Sequence, residues 1–226
     1  MIKFVNVTKS YPSGVVVLDN VSFEIKFGEF VSIVGKSGAG KTTLIRMLLG
    51  LESPTSGEIF FNETNILHTQ HGKLQELRQK IGVVYQDYKL LANKTVYENI
   101  AYVMAVKGED DKKIAVEVKL VLEVTGLFEK ANNFPDCLSG GEQQRLAVAR
   151  AIVNRPDVII ADEPTGNLDP YNSYEIIALL KKINEAGKTV ILASHDKEII
   201  NKLNKRVITL EDGRIIRDEK EGKFIL

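Results

Sequence analysis

The chain has 226 residues, 44% hydrophobic and 27% charged, which suits one large globular unit burying roughly 70–75% of its unfolded surface. Thirty basic and thirty acidic side chains cancel, excluding a whole-molecule field that would steer the protein to nucleic acid or anionic lipid. A single cysteine excludes an internal disulfide framework, no apolar run can span a bilayer, and "MIKFVNVTKSY" is unlike a signal peptide, so a cytoplasmic protein is expected, reaching a membrane only through a partner.

"IKFVNV", "VVVLDNVSFEI" and "FVSIV" predict three strands separated by "PSG" and "FGE" turns. Residues 35–42, "GKSGAGKT", then match a phosphate loop, following a strand and opening a helix as that motif requires. Gly35, Gly38 and Gly40 let backbone N–H groups curl around a β-phosphate, and Lys36, Ser37 and Ala39 complete the loop. Lys41 supplies a point charge to the β- and γ-phosphates, the Thr42 hydroxyl suits Mg²⁺, and Thr43 closes the nucleotide-binding stretch. The helix "KTTLIRMLLG" ends at Gly50, and "GEIFF" and "KIGVVY" are further strands around a polar loop. In that loop His68 and His71 have no cysteine nearby and no regular helix is evident, so no metal site is expected there.

Gln86 ends "KIGVVY", where its amide can reach Mg²⁺ or an attacking water. The following "DYKLLANKTVYENIAY" carries Tyr88, Leu90, Leu91 and Tyr97 in a segment too irregular to bury them all, which predicts exposed apolar groups and a docking groove. "TVYE" is a capping box for a helix carrying Ile100 and Val103. A second helix after "GEDD" puts Ile114, Val118, Val121 and Leu122 on one face and ends at Gly126. "CLSGGEQQR" opens a third, with Ser139 as N-cap and Leu146, Ala149 and Ile152 on one face. Its start at Ser139, Gly140 and Gly141 favours an anion, making it the second such helix start in one chain.

"VIIADEP" is an apolar strand ending in Asp162, suited to hold Mg²⁺, and Glu163, placed to act as a general base. Together with a phosphate loop this is the expected second half of a nucleotide hydrolase, although adenylate kinase-like enzymes share the pair. A helix at "SYEIIALLKKINEAG", the strand "TVILAS", another helix and a hairpin turning at Asp212-Gly213 complete an alternating α/β pattern. Gly35, Asp162 and His195 each follow or end an apolar strand, so all three should line one crest of a parallel sheet, with His195 facing a γ-phosphate. The expected organisation is an α/β core over 1–86 and 151–226, interrupted by a helical insertion over 87–150. Cys137 receives no role.

The order of phosphate loop, "LSGGEQQR" and "VIIADEP" resembles the ATP-binding-cassette (ABC) ATPases across essentially the whole chain. The resemblance implies a P-loop NTPase core with an N-terminal antiparallel β subdomain and an inserted α-helical subdomain. It makes "YQD" the glutamine loop at Gln86, "NLD" the loop ending in Asp169, His195 the histidine switch, and Tyr11 the ring that stacks on adenine, its alternative being a strand-end packing residue. It also implies that two copies pack head to tail around two ATP molecules, the signature of each facing the nucleotide of the other, with a membrane partner's coupling helix beside the glutamine loop.

Within the family, "GEFVSIVGKSGAGKTTLIRMLLGLESPTSGEIFF", "YQDYKLLANKTVYENIAY" and "ADEPTGNLDP" are most similar to the cell-division (FtsE) branch. That implies a permease-like FtsX partner and control of cell-wall hydrolases. The last stretch is shared with lipoprotein-release and macrolide-export ATPases, which stand as the alternative. Lys36 replaces a usual proline, Ala92 a common proline and Tyr85 a usual phenylalanine, and none of these removes a phosphate or Mg²⁺ ligand. A soluble ABC protein acting on nucleic acid or ribosomes usually has two cassettes or a coiled-coil insertion; this chain has one cassette, no heptads and no net positive charge.

Overall fold

Every strand expected from the sequence is present in the computed structural model of the chain, which describes residues 1–224; positions 225–226 of the expected core lie outside the described residues. Alternation in β1 (Ile2–Ser10) turns Ile2, Phe4 and Val7 inward, where they meet Leu18, Val21, Phe23 and Ile25 of β2 (Val16–Ile25). With β4 (Ser56–Phe61) and β5 (Thr64–Asn65) they form an antiparallel sheet in the order β2-β1-β4-β5.

The second sheet contains β3 (Phe30–Val34), β6 (Ile81–Tyr85), β7 (Val158–Asp162), β8 (Thr189–Ser194), β9 (Arg206–Glu211) and β10 (Arg214–Glu219). Their order is β10-β9-β3-β8-β7-β6, parallel throughout except for the edge strand β10. β3, β7 and β8 are buried at every position, which is why they read as unbroken apolar runs. The register pairs Val34 with Ser194, Ala193 with Asp162, and Asp162 with Tyr85. Gly35, His195, Glu163 and Gln86 therefore emerge side by side at one sheet edge. The terminal hairpin turns at Asp212 and Gly213, whose φ values of 45° and 76° suit a type I′ turn.

Seven helices surround these sheets among the described residues: α1 (Lys41–Leu48), α2 (His71–Gln79), α3 (Val96–Lys107), α4 (Asp111–Thr125), α5 (Gly140–Ile152), α6 (Pro170–Glu185) and α7 (Lys197–Leu203). α1 packs between the two sheets in one core, while α6 and α7 cover the opposite face of the parallel sheet in another. α3 and α4 build a third core with one side of α5. α5 serves two cores: Leu146 and Ala149, with the C-cap residue Val153, face α3 and α4, whereas Ala147, Val148 and Ala151 face the sheet. It ends at Ile152, the last residue of the expected apolar face of Leu146, Ala149 and Ile152.

Three local expectations need correction. The polar loop holding His71 contains α2, whose single buried residue, Leu77, leaves no apolar stripe to announce a helix. α6 begins at Pro170 rather than Ser173, because proline is favoured in the first turn and Asp169 caps it. Tyr88, Leu90, Leu91 and Tyr97 are half-buried instead of displayed. Tyr88 and Leu90 pack on the sheet core, Leu90 and Tyr97 on the helical core, and the Asn99 amide bonds both the N–H and the carbonyl of Leu91.

Gly82 sets the spacing between β6 and α5. A Cβ there would lie 2.2 Å from the Ala151 carbonyl oxygen, so only glycine permits the helix to lie this close. Gly82→Ala is expected to destabilise the fold by about 1–3 kcal/mol through overpacking. Denaturant titration checks this; an unchanged midpoint would mean that α5 shifts at no cost.

Candidate nucleotide site

The first turn of α1 is built to leave donors free. Its N-cap, Gly40, has φ 101° and provides no side-chain cap, whereas α3, α4, α5, α6 and α7 are capped by Thr95, Asp110, Ser139, Asp169 and Asp196. A Cβ on Gly40 would come within 2.7 Å of Leu18, so the residue that fits this crowded left-handed turn is also one that cannot cap it. The helix start accordingly presents N–H groups and a positive dipole end suited to phosphate.

Lys41 is the buried cation of this loop, with only 6% of its side chain exposed. Its Nζ donates to the carbonyls of Gly35 at 2.8 Å and Lys36 at 3.2 Å, and lies 3.4 Å from Glu163 Oε1. The Thr42 hydroxyl donates to Asp162 Oδ1 at 3.3 Å, joining the loop to the end of β7. Burial pushes the Asp162 carboxyl up; the Thr42 hydrogen bond opposes this, neighbouring Glu163 adds to it, and Lys41 again opposes it.

Glu163 has left-handed backbone, φ 50°, a conformation that costs a non-glycine residue about 1–3 kcal/mol and is retained where the surroundings enforce it. Here its N–H donates to the Ala193 carbonyl at 2.9 Å, pinning it to β8. Its Oε2 lies 2.9 Å from His195 Nδ1 and accepts the His195 backbone N–H at 3.3 Å. One carboxylate thus touches both the loop lysine and the histidine.

Gln86, Thr42, Asp162 and Glu163 line one cleft of about 400 Å³. Asn167, which sequence reasoning did not single out, holds Gln86 from two sides: its Oδ1 accepts from the Gln86 side chain at 3.3 Å, and its Nδ2 donates to the Gln86 carbonyl at 3.1 Å. Arg46 also lines this cleft and was likewise missed. A second recess of about 340 Å³ is lined by Val15–Val17, Lys36–Ala39 and the β9–β10 turn. Tyr11 lies outside both linings, beside the start of the 11–15 turn, with Lys9 Nζ 5.1 Å from its ring centroid. Thr43 is half-buried in the first turn of α1.

Ser139, Gly140 and Gly141 also lie outside both linings. Ser139 and Glu142 form a capping box: the serine hydroxyl accepts the Glu142 N–H at 3.3 Å, and the Glu142 carboxylate accepts the Ser139 N–H at 2.8 Å. That backbone hydrogen bond from Ser139 holds the Glu142 carboxyl below its ordinary value, opposed by desolvation. Part of this helix start is therefore satisfied internally. Gly141 is wedged against α6, where a Cβ would lie 1.9 Å from Asn172 Oδ1, and Asn172 in turn donates its backbone N–H to Asp169 at 3.0 Å. The Ser139–Gly141 turn and the Asp169 turn are thereby seated on each other through Asn172. The structure joins Lys41, Thr42, Asp162, Glu163, His195 and Gln86, and Ser139, Gly140, Gly141 and Asp169 are not among the residues lining that cleft.

Comparison with known proteins shows the family. Residues 18–166 match the ABC transporter family. The cell division ATP-binding protein FtsE of Bacillus subtilis is 50% identical over 224 residues, covering 99% of this chain and 98% of that protein. FtsE of Escherichia coli is 42% identical, covering 95% of this chain and 97% of that protein. Among solved structures, a dimeric ATP-binding cassette in a post-hydrolysis state bound to ADP and Pi superimposes with a TM-score of 0.88 at 38% identity, covering 99% of this chain and all of that one. The chain belongs to the ABC transporter family, within its FtsE-type branch of ATP-binding proteins.

Proposed function

We infer that the chain is the ATP-binding and ATP-hydrolysing subunit of an FtsE-type membrane complex, closing as a homodimer on ATP and driving a permease-like FtsX partner in cell division. The observation that carries this reading is Glu163, whose carboxylate lies between Lys41 and His195 at the edge where the uncapped α1 start and Asp162 also converge. Curated relatives named for cell division, and the dimeric ADP- and Pi-bound cassette, support the process and the assembly. Among the described residues no helix is long and apolar enough to cross a membrane, so the partner supplies attachment to its inner face.

In this reading the Gly35–Thr43 backbone and Lys41 hold the β- and γ-phosphates, and Glu163 accepts a proton from the attacking water as it leaves Lys41 to the phosphate. His195 orients Glu163 and the γ-phosphate, and Gln86, held by Asn167, reports the state of the site to residues 87–150, the helical subdomain. The Thr42 hydroxyl, the Asp162 carboxylate and the Gln86 amide form a hard-oxygen donor set that fits Mg²⁺, which when bound neutralises phosphate charge. Ser139, Gly140, Gly141 and Asp169 face the nucleotide of the second copy. Phosphate release from ATP by the purified chain, alone and with partner-containing membranes, tests the reading; no hydrolysis in either condition overturns it.

Tyr11 stacks on the base in this scheme, and its 37% exposure leaves ring surface to do so. Tyr11→Ala is expected to weaken ATP binding by about 1–3 kcal/mol, by analogy with base–aromatic stacking. Tripolyphosphate binding should not change. Equal ATP affinity for the two proteins, measured by calorimetry, would return Tyr11 to a packing role.

A further inference from the structure

Glu52 lies in the link between α1 and β4, and sequence reasoning did not single it out. Its side chain is only 14% exposed. Oε1 lies 3.1 Å from Lys9 Nζ near the end of β1, and Oε2 lies 3.4 Å from Arg46 Nε on α1. Burial pushes the carboxyl up, but hydrogen bonds from the Tyr11 hydroxyl and Lys9, with the charges of Lys9 and Arg46, hold it below its ordinary value. The backbone is fastened at the same place. Lys9 Nζ donates to the Ser53 carbonyl at 2.7 Å, the Thr55 N–H donates to the Thr8 carbonyl at 2.8 Å, and the Thr55 hydroxyl accepts the Ser10 N–H at 2.9 Å. The segment 52–55 is thus laced to the end of β1, immediately before Tyr11.

We propose that Glu52 is a positioning residue for ATP: it fixes the Tyr11 ring relative to α1, so that base and phosphates are held by one rigid body. The proposal rests on the reading that Tyr11 stacks on the base, and names the group that sets the ring for it. Tyr11 needs such a group. It is an exposed residue outside the three cores, and its backbone hydrogen bonds reach only across the short turn, to the Val15 carbonyl and from the Gly14 N–H. A ring free to change rotamer must be ordered each time a base arrives, and that ordering subtracts from affinity. Here the hydroxyl is tied to Glu52 and Lys9 Nζ stands over one face, 5.1 Å from the centroid. The orientation is set beforehand, and the other face is left for the base.

The contact can bear this role because it is a network. An isolated, exposed ion pair contributes little, since two long side chains are immobilised for one contact. Glu52 instead is largely withdrawn from water and gathers Lys9, Tyr11 and Arg46 on one carboxylate. Arg46 carries the connection toward the phosphates, because it stands on the same helix as Lys41. The Leu51 N–H, next to Glu52, donates to the Arg46 carbonyl at 2.9 Å and fixes the acid to the end of that helix.

The test is calorimetric titration of the full chain with Mg·ATP and, separately, with Mg·tripolyphosphate, with the thermal midpoint as folding control. Glu52→Ala is expected to weaken ATP binding roughly three- to tenfold, the scale of ordering one side chain, and to leave tripolyphosphate binding unchanged. Because Glu52→Ala also strips Lys9 and Arg46 of their acid, Tyr11→Phe serves as the second variant. It keeps the stacking ring, removes only the hydroxyl, and should weaken ATP binding several-fold with no effect on tripolyphosphate. The two changes together should cost no more than Glu52→Ala alone, since the hydroxyl then has no partner left to lose. A lower midpoint with an unaltered ratio of ATP to tripolyphosphate affinity would make Glu52 a purely structural residue and overturn the proposal. Equal weakening of both ligands also overturns it, placing the effect of Glu52 in the phosphate loop. If Glu52→Ala and Tyr11→Phe bind ATP as the parent chain does while Tyr11→Ala binds it weakly, the ring stacks without Glu52 and the proposal alone fails. If Tyr11→Ala binds normally as well, the stacking reading fails with it.

Discussion

Glu163→Gln is expected to accumulate an ATP-bound dimer on sizing chromatography, and the added change Ser139→Arg to return it to monomer. The first half follows from the position of the carboxylate. Losing a general base typically costs about 10²–10⁴ in rate, so ATP would persist long enough for the closed form to build up. Glutamine also removes the charge that holds Lys41 at 3.4 Å, leaving the lysine free for phosphate. The second half follows from the place of the signature turn. Ser139 and Gly140 are not among the residues that line the cleft of Thr42, Gln86, Asp162 and Glu163, so in the proposed assembly an arginine there meets the nucleotide of the second copy. Ser139→Arg also deletes the capping hydroxyl, a loss of about 0.5–2 kcal/mol, so Ser139→Ala is the control for stability. A double variant that still elutes as the ATP dimer would show that the signature does not act in trans.

The chemistry of this site is legible in sequence because its parts are local. Phosphate loop, acid pair and capping boxes each depend on residues within a few positions, as at Thr95–Glu98 and Ser139–Glu142. What escapes reading depends on distant partners. Asn167 acquires its role from Gln86, 81 residues away, and Asn172 from the missing side chain of Gly141. Leu90 and Tyr97 look stranded in an irregular segment until α4 and α5 supply cores for them. α2 escapes for the opposite reason: it has almost no buried face, and Arg78 anchors it through the carbonyls of Leu49 and Gly50. The seating of Gly141 on Asn172 is a property of packing that no spacing in the sequence encodes.

Asp162→Asn should raise the thermal midpoint of the ligand-free chain near neutral pH while reducing its stabilisation by Mg·ATP and its hydrolysis rate. The carboxyl of Asp162 is pushed above its ordinary value, first by burial, with the Thr42 hydrogen bond pulling it down, Glu163 pushing it up and Lys41 pulling it down. The folded chain therefore holds that proton more tightly than the unfolded chain does. The associated stability is fully present below the ordinary aspartate value and is lost as pH rises through the raised one, so at neutral pH the ionised group is a standing cost. Asparagine removes the charge but keeps an oxygen to accept from Thr42 Oγ1, now 3.3 Å from Asp162 Oδ1. For a chain of this size the gain is about 2–4 °C for each kcal/mol relieved, and it should shrink as the pH falls below the aspartate range. With Mg·ATP the order reverses, because a neutral amide is a poorer hard-oxygen donor and the ligand-linked increment falls with affinity. Paired melting curves with and without Mg·ATP decide the matter. A lower ligand-free midpoint for Asp162→Asn at neutral pH would mean that attraction to Lys41 outweighs burial, and that this acid serves the fold before it serves the nucleotide.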